Sequence, residues 1–430
     1  MRALHSLLAV LLVLAAAGAG VPAGGAGSPA PAAADAPSPT GDRPDVGAAG
    51  AQVDRPATPP EAVNALGLRS GVANRSGFAA AYVDVGPALG LEAATTSRRL
   101  ETVRALERVR AAESDAERAA RIRAELRRIE ERTDALGRTQ GRLVAEYAEE
   151  GRTAGALLVG LVEVDREARA LDERRQRLWA VANRTDAPVA DGRFAAVGRE
   201  LDAYTGPVRA RAAAALTGAA DPGRFYVAGA PRSLVLATVS GNTYLREAYR
   251  GDLRRIGTDA VNASAADAVA AGYPEVWRAR ERATVDGGRI ARVRVGYPGG
   301  SLEALVGSGN ERVFADEHRR VLRTAGTNTT AVNTRDGLRM TVNRSYPGGA
   351  MRLQLRDADG NRVNASVTIG PAGGQSVAVG HTGDDGELWL VTPGERFTVV
   401  AIRDQSVVFL TMSPLSTPEP GPSGGSGGDR

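Results

Sequence analysis

The sequence predicts a multidomain α+β protein. An antiparallel helical coiled-coil domain comes first, then a small α+β domain, then a C-terminal β-sandwich. Three observations predict it. Apolar residues recur at alternating spacings of four and three through the first half of the chain. The period changes near residue 221. Beyond about residue 335, short alternating runs are separated by Gly-containing turns.

Two segments that build no core precede the helices. Met1-Arg2, the apolar run from Leu7 to Leu14 and the small residues Ala17-Gly18-Ala19 have the form of a signal peptide, expected over residues 1–21. An uncleaved N-terminal anchor is the alternative, although the run is short against the roughly 20 residues of a membrane span. Residues 22–60 are rich in Pro, Ala and Gly and are expected to form a disordered linker.

The helical domain is expected over residues 61–216. One seam runs through Ile122, Leu126, Ile129, Thr133, Leu136, Gln140, Leu143 and Tyr147, and Gly151 breaks it. A second runs through Leu157, Leu161, Val164, Ala168, Leu171, Arg175 and Leu178. A loop around Asn183 to Gly192 and a third helical stretch from Phe194 follow, interrupted at Gly206-Pro207. Between residues 91 and 150 there are 13 Arg and 13 acidic residues, a balance that suits a solvated helix face and not a nucleic-acid-binding one.

The α+β domain is expected over residues 221–335. Arg224 to Val227 and Ser233 to Val239 read as strands, Tyr244 to Ile256 and Ala265 to Ala271 as helices. Arg289 to Val295 and Ser301 to Val306 read as strands, and Arg312 to Thr324 as a helix. The sandwich is expected over residues 336–412. Its strands are Leu338–Asn343, Met351–Leu355, Ser366–Ile369, Ser376–Val379, Glu387–Val391 and Phe397–Ile402. Residues 413–430 read as a disordered tail.

Composition narrows the chemistry. The 430 residues contain no Cys, and all 54 basic residues are Arg. Disulfides, thiolate nucleophiles, zinc–thiolate sites, Schiff bases and a Walker-type Lys are therefore excluded. Of three His, only His318 and His381 lie beyond the leader. A net charge of +4 is small for this length and does not indicate nucleic acid. Six of eleven Asn stand in N-x-S/T sequons: Asn74, Asn183, Asn262, Asn328, Asn343 and Asn364. Beside a leader, that excess points to glycosylation.

Three resemblances add to this reading. Asp357 to Ile369, then Val379 to Leu390 and Val391 to Gly394, resemble a carboxypeptidase regulatory-like β-sandwich, which implies a non-catalytic appendage. The chain beyond the leader resembles an uncharacterised family of secreted haloarchaeal proteins. The residues that carry this are Tyr147 to Gly151, Gly206 to Arg209, Asn242 to Arg250 and Tyr346 to Gly349. That resemblance implies an exported setting and no activity; the balanced charge departs from the strongly acidic habit of such proteins. Ala265 to Phe314 is similar to the PepSY type of domain, which implies protease regulation or inhibition.

Four groups are candidates for chemistry. His318 with Asp316 and Glu317 reads as a solvated helix surface, since neighbours in sequence do not share a helix face. His381 with Asp384 and Asp385 reads as a turn. Asp357, Asp359 and Asn361 have the oxygen spacing of a calcium loop, but Thr368 stands where its bidentate Glu belongs, so a turn is expected. Glu247 reads as half of a buried Arg–Glu pair. No catalytic residue, cofactor or metal site is expected.

The function expected is that of an exported cell-surface or secreted glycoprotein with a structural or binding role. Its partner is an unknown protein or cell-envelope component, with no nucleic acid, membrane contact only through an uncleaved leader, and homo-oligomers through the helical seams. The alternatives are a regulator or inhibitor of an extracellular protease, and a hydrolase working with carboxylates alone. Two convergent acids with raised pKa values in a pocket would favour the last.

Overall fold

The computed structural model describes residues 63–186, 189–322 and 329–421; the signal peptide, the linker and Asn328 lie outside them. Strand β1 (Arg75–Ala81) precedes five helices: α1 (Val85–Arg110), α2 (Asp115–Ala148), α3 (Ala154–Ala182), α4 (Asp191–Asp202) and α5 (Pro207–Leu216). The three long ones begin at side-chain caps. Asp84 accepts from the Gly86 N–H, Ser114 from that of Glu117 and Thr153 from that of Ala156. Residues 111–114 and 149–153 are too short to do more than reverse the chain, so α1, α2 and α3 run up, down and up.

The expected seam residues are packing surfaces. All eight of the α2 set are buried, from Ile122 to Tyr147, as are Leu157, Leu161, Val164, Ala168, Leu171 and Leu178 of α3. Neighbouring helices and the sheet of the same chain cover them.

The sheet has eight antiparallel strands. After β2 (Gly223–Ala230), β3 (Ser233–Ser240) and β4 (Thr243–Arg250) come two short helices, α6 (Ala263–Gly272) and α7 (Pro274–Arg278). Then follow β5 (Arg282–Asp286), β6 (Ile290–Tyr297), β7 (Gly300–Gly307) and β8 (Arg312–Val321). The order is β1-β2-β3-β4-β8-β7-β6-β5. The edge strand β1 comes from within the stretch expected to be helical, pairing Phe78 with Tyr226. One face of β2–β4 shares its core with the helices, through Phe225, Val227, Leu234, Leu236 and Leu245. Helix α6 covers the other face further along, with Ala265 and Val269 against Val293 and Val306.

Two segments expected as helices are strands. Tyr244 to Ile256 gives β4, and Arg312 to Thr324 gives β8. These strands are neighbours at the middle of the sheet and are covered on both faces. Arg246, Glu247, Asp316 and His318 therefore face interior partners and not water, and the polar–apolar alternation that marks a half-exposed strand is missing from the sequence.

The C-terminal sandwich stacks two four-stranded antiparallel sheets. One has the order β14 (Glu387–Val391), β11 (Ala350–Asp357), β10 (Leu338–Arg344), β9 (Thr329–Arg335). The other has β13 (Val377–His381), β12 (Ser366–Pro371), β15 (Phe397–Arg403), β16 (Ser406–Met412). Met340, Val342, Leu353, Val367, Val399 and Val408 fill the space between them. The sandwich sits on the second face of β2–β4, where Tyr244 Oη donates to the Gly348 carbonyl at 2.6 Å. Gly348 has φ 78°, and a Cβ there would lie 2.9 Å from the Tyr226 ring, so the close approach requires glycine.

Both ends of the described chain are tied down. Ala65 and Leu66 are buried, and the Ala65 N–H donates to the Pro418 carbonyl at 2.9 Å. Residues 413–421, expected as part of a disordered tail, therefore run back across the sheet as far as the N-terminal segment. No helix among the described residues is long and apolar enough to cross a membrane.

Candidate functional site

Strands β4 and β8 carry a cluster of ionisable side chains on each face. On the sandwich face, Arg246 lies in register with His318, and Ala248 with Asp316. Two residues apart on one strand, Asp316 and His318 point the same way. Both are almost fully buried, and so is Arg246. The solvated helix surface expected for Asp316, Glu317 and His318 is thus corrected: the segment is a central strand, and Glu317 points to the opposite face.

One carboxylate organises this cluster. Asp316 accepts from Arg246 Nη1 at 3.0 Å, the Leu66 N–H at 2.8 Å, Tyr273 Oη at 3.0 Å and His318 Nε2 at 3.1 Å. Arg246 also donates to the Leu66 carbonyl and stacks over the Tyr346 ring. The peptide unit groups of Leu66 are therefore held at both ends, N–H by a carboxylate and C=O by a guanidinium. Burial would raise the Asp316 pKa, but His318 and then Arg246 outweigh it and hold the carboxyl below its usual range. Burial lowers His318, and Asp316 only partly opposes this.

The helix face carries acids in a row. Glu317 lies directly across from Glu247 on β4 and from Glu303 on β7. Glu247 is paired: Oε1 accepts from Arg209 Nε at 2.7 Å, and Oε2 from the Val208 N–H at 3.1 Å. Arg209 also donates to Gln140 and to the Tyr204 carbonyl. Asp165 accepts from the Gly206 N–H at 3.1 Å. The N-terminus of α5 has no side-chain cap of its own and is capped by two carboxylates from α3 and β4. Burial, and then Glu247 and Glu303, push the Glu317 carboxyl well above its usual range. Burial pushes Asp202 up to about 6 despite Arg292.

Convergent acids with raised pKa values are thus present. The cavity among Asp202, Arg209, Glu247, Glu303 and Glu317 has a volume of about 20 Å³. That is room for about one water and not for a substrate. Among the described residues, no three His, Asp or Glu side chains converge to hold a metal ion.

The remaining candidates lie elsewhere. His381 is exposed at the sandwich surface, 3.1 Å from Ser366 Oγ. Asp385 accepts from the Glu387 N–H within its turn. Asp357 Oδ1 accepts from the N–H groups of Asp359 and Asn361, which closes the turn and occupies the carboxylate of the calcium-like spacing. Among the sequons, Asn74, Asn183, Asn262 and Asn364 are exposed. Asn343 is half-buried, with its Nδ2 donating to Thr330 Oγ1 at 3.0 Å. Sequence reasoning missed Arg246, Arg209 and Asp165, whose long-range partners lie 38 to 180 residues away. One signal was present. The four segments that carry the family resemblance meet here: Glu247 touches the 206–209 segment, Tyr244 bonds Gly348, and Tyr147 Oη donates to the Val227 carbonyl on the same sheet.

Comparison with known proteins follows the same divisions. Residues 1–221 match the Domain of unknown function (DUF7096), residues 225–325 the Family of unknown function (DUF7094), and residues 329–410 the Archaeal fibronectin-III type-like domain. No curated protein and no solved structure matches the chain. With a fibronectin-like sandwich closing an uncharacterised archaeal architecture, and with more than half its length in the first match, the chain belongs to the DUF7096 family.

Proposed function

We propose that this chain is an exported structural and binding glycoprotein of a haloarchaeal cell surface. In this reading the α2–α3 hairpin is a coiled-coil spacer. The sandwich, in the manner of a carboxypeptidase regulatory-like appendage, presents a binding surface. The observation that carries the reading is how the buried charges are used. Asp316, Arg246, Glu247 and Arg209 each tie a distant chain segment to β4 or β8, and the cavity beside them admits about one water. Charges spent this way fix an assembly of layers. The four exposed sequons, on loops and element ends, suit glycan attachment.

Peptide mass spectrometry on fractionated source cells tests this. A mature N-terminus near residue 20, recovery from envelope or medium, and glycans on Asn74, Asn183, Asn262 and Asn364 but not Asn343 are expected. A full-length, unmodified chain in the cytoplasm would overturn the reading.

A second reading, regulation or inhibition of an extracellular protease through the PepSY-like part, is favoured by one feature. β5 is the open edge of the large sheet and Arg282 to Val285 are exposed, a geometry that accepts an added strand. Inhibition of a secreted protease of the same source, lost on Thr284→Pro, would support it. Absence of any inhibition would remove it.

A further inference from the structure

Helix α1 has two apolar faces. Leu91, Thr102, Ala105, Leu106 and Val109 are buried against the bundle. On the outward side, Val85, Leu89, Ala93, Thr96, Leu100 and Val103 recur at spacings of four, four, three, four and three. This is the pattern of a helix–helix seam. Its Val and Leu residues, with Tyr82 and Val83 just before the helix, are between 49% and 67% exposed. The seams that first suggested self-association are covered within the chain; this one is left open by the described residues.

We propose that the outward face of α1 is a dimer interface, occupied by the same face of a second copy in antiparallel orientation. Two features of the stripe select that partner. First, the pattern is self-complementary about a two-fold axis near residue 95. Val85 then lies across from Val103 of the second copy, Leu89 from Leu100, and Ala93 from Thr96, each contact occurring twice. Second, charge matches in the same register. Glu92 and Arg99, seven residues apart on one flank of the stripe, are both exposed. The two-fold sets Glu92 of each copy against Arg99 of the other, whereas in a parallel pairing each flank faces the partner's opposite flank and these two charges do not meet. Glu92 already reaches Arg166 of its own chain, at 3.5 Å on the surface, a weak pair that leaves it able to turn outward.

Area sets the strength. The exposed apolar residues offer on the order of 600 Å² per copy, somewhat below the roughly 800 Å² per partner of a standard interface. It also matches the largest apolar patches seen on monomers, which are often functional. A reversible dimer in the micromolar range follows, which tethering to one surface would favour further.

Sedimentation equilibrium on the full chain is the test. The average mass should rise with concentration from one chain toward two. Leu89→Glu or Leu100→Glu should weaken association by about tenfold or more, since each change acts twice. Both side chains are more than half exposed, so circular dichroism should not change. Glu92→Arg should weaken the dimer, and adding Arg99→Glu should restore it. The natural absence of Cys allows a positional check: Ala93→Cys combined with Thr96→Cys, which face each other across the two-fold, should form intermolecular disulfides on oxidation, and Asp404→Cys on the sandwich should not. A monomer throughout the micromolar range would overturn the proposal, including one in which the stripe is covered by residues 1–62 or by another protein. So would a dimer indifferent to both Leu substitutions.

Discussion

Asp316 and Glu317 are adjacent carboxylates with opposite fates. Asp316 gathers four donors and is held ionised; Glu317 faces two other glutamates across the sheet and is held toward its neutral form. The linkage signs differ accordingly. A carboxyl whose folded pKa is raised contributes stability that is fully present below its unfolded pKa, about 4.3, and is lost as pH rises through the folded value. Glu317 and Asp202 therefore weaken the fold as pH rises. Asp316 and neutral His318, both lowered, weaken it as pH falls, His318 beginning below about 6.5. Replacing Glu317 by Gln removes a titration and keeps the shape. We expect Glu317→Gln to raise the melting temperature at pH 8 by about 2 °C, and to have no effect at pH 4. A lower melting temperature at pH 8 would mean that ionised Glu317 has a stabilising partner.

At the scale of elements, what could be read depended on water. The long helices were legible because one side of each meets solvent and the 3.6-residue period stands out in the seams. The sandwich strands were legible because Asp-Gly and Pro-Gly turns bound them and one face of each sheet is polar. β4 and β8 were not, because a central strand with buried Arg, Glu, Asp and His shows neither alternation nor an apolar run. Leu245, Arg246, Glu247 and Ala248 are moreover good helix formers, and tertiary context overrode that preference. The cap of α5 was equally hidden, since its carboxylates come from α3 and β4. Gly206 is the signature of that arrangement. Its φ of 179° suits any residue, but a Cβ would overlap the Glu247 carboxylate. Gly206→Ala should therefore destabilise the protein by about 2 kcal/mol or more, read by chemical denaturation. An unchanged midpoint would show that Glu247 can move away freely.

At the scale of the whole molecule, the clusters explain how segments far apart in sequence make one body. Helices, sheet and sandwich meet at β4, which Glu247 joins to α5, Tyr244 to the sandwich and Arg246 to the N-terminal segment. The overall order of helices, sheet and sandwich was legible in the sequence, because each layer has its own periodicity. The joints between layers were not, because a single charged residue carries no mark of its distant partner. The N-terminal segment is the sharpest case, since nothing in Asn64 to Arg69 advertises that two buried charges grip Leu66. If those charges serve to hold the chain together, that grip should be among the last contacts to open. Native-state hydrogen exchange at the Leu66 amide measures this directly. Leu66 should show protection approaching that of the central strands, and lose it in Asp316→Ala. Exchange of Leu66 at the rate of an open chain, with the central strands still protected, would contradict that role of the charges.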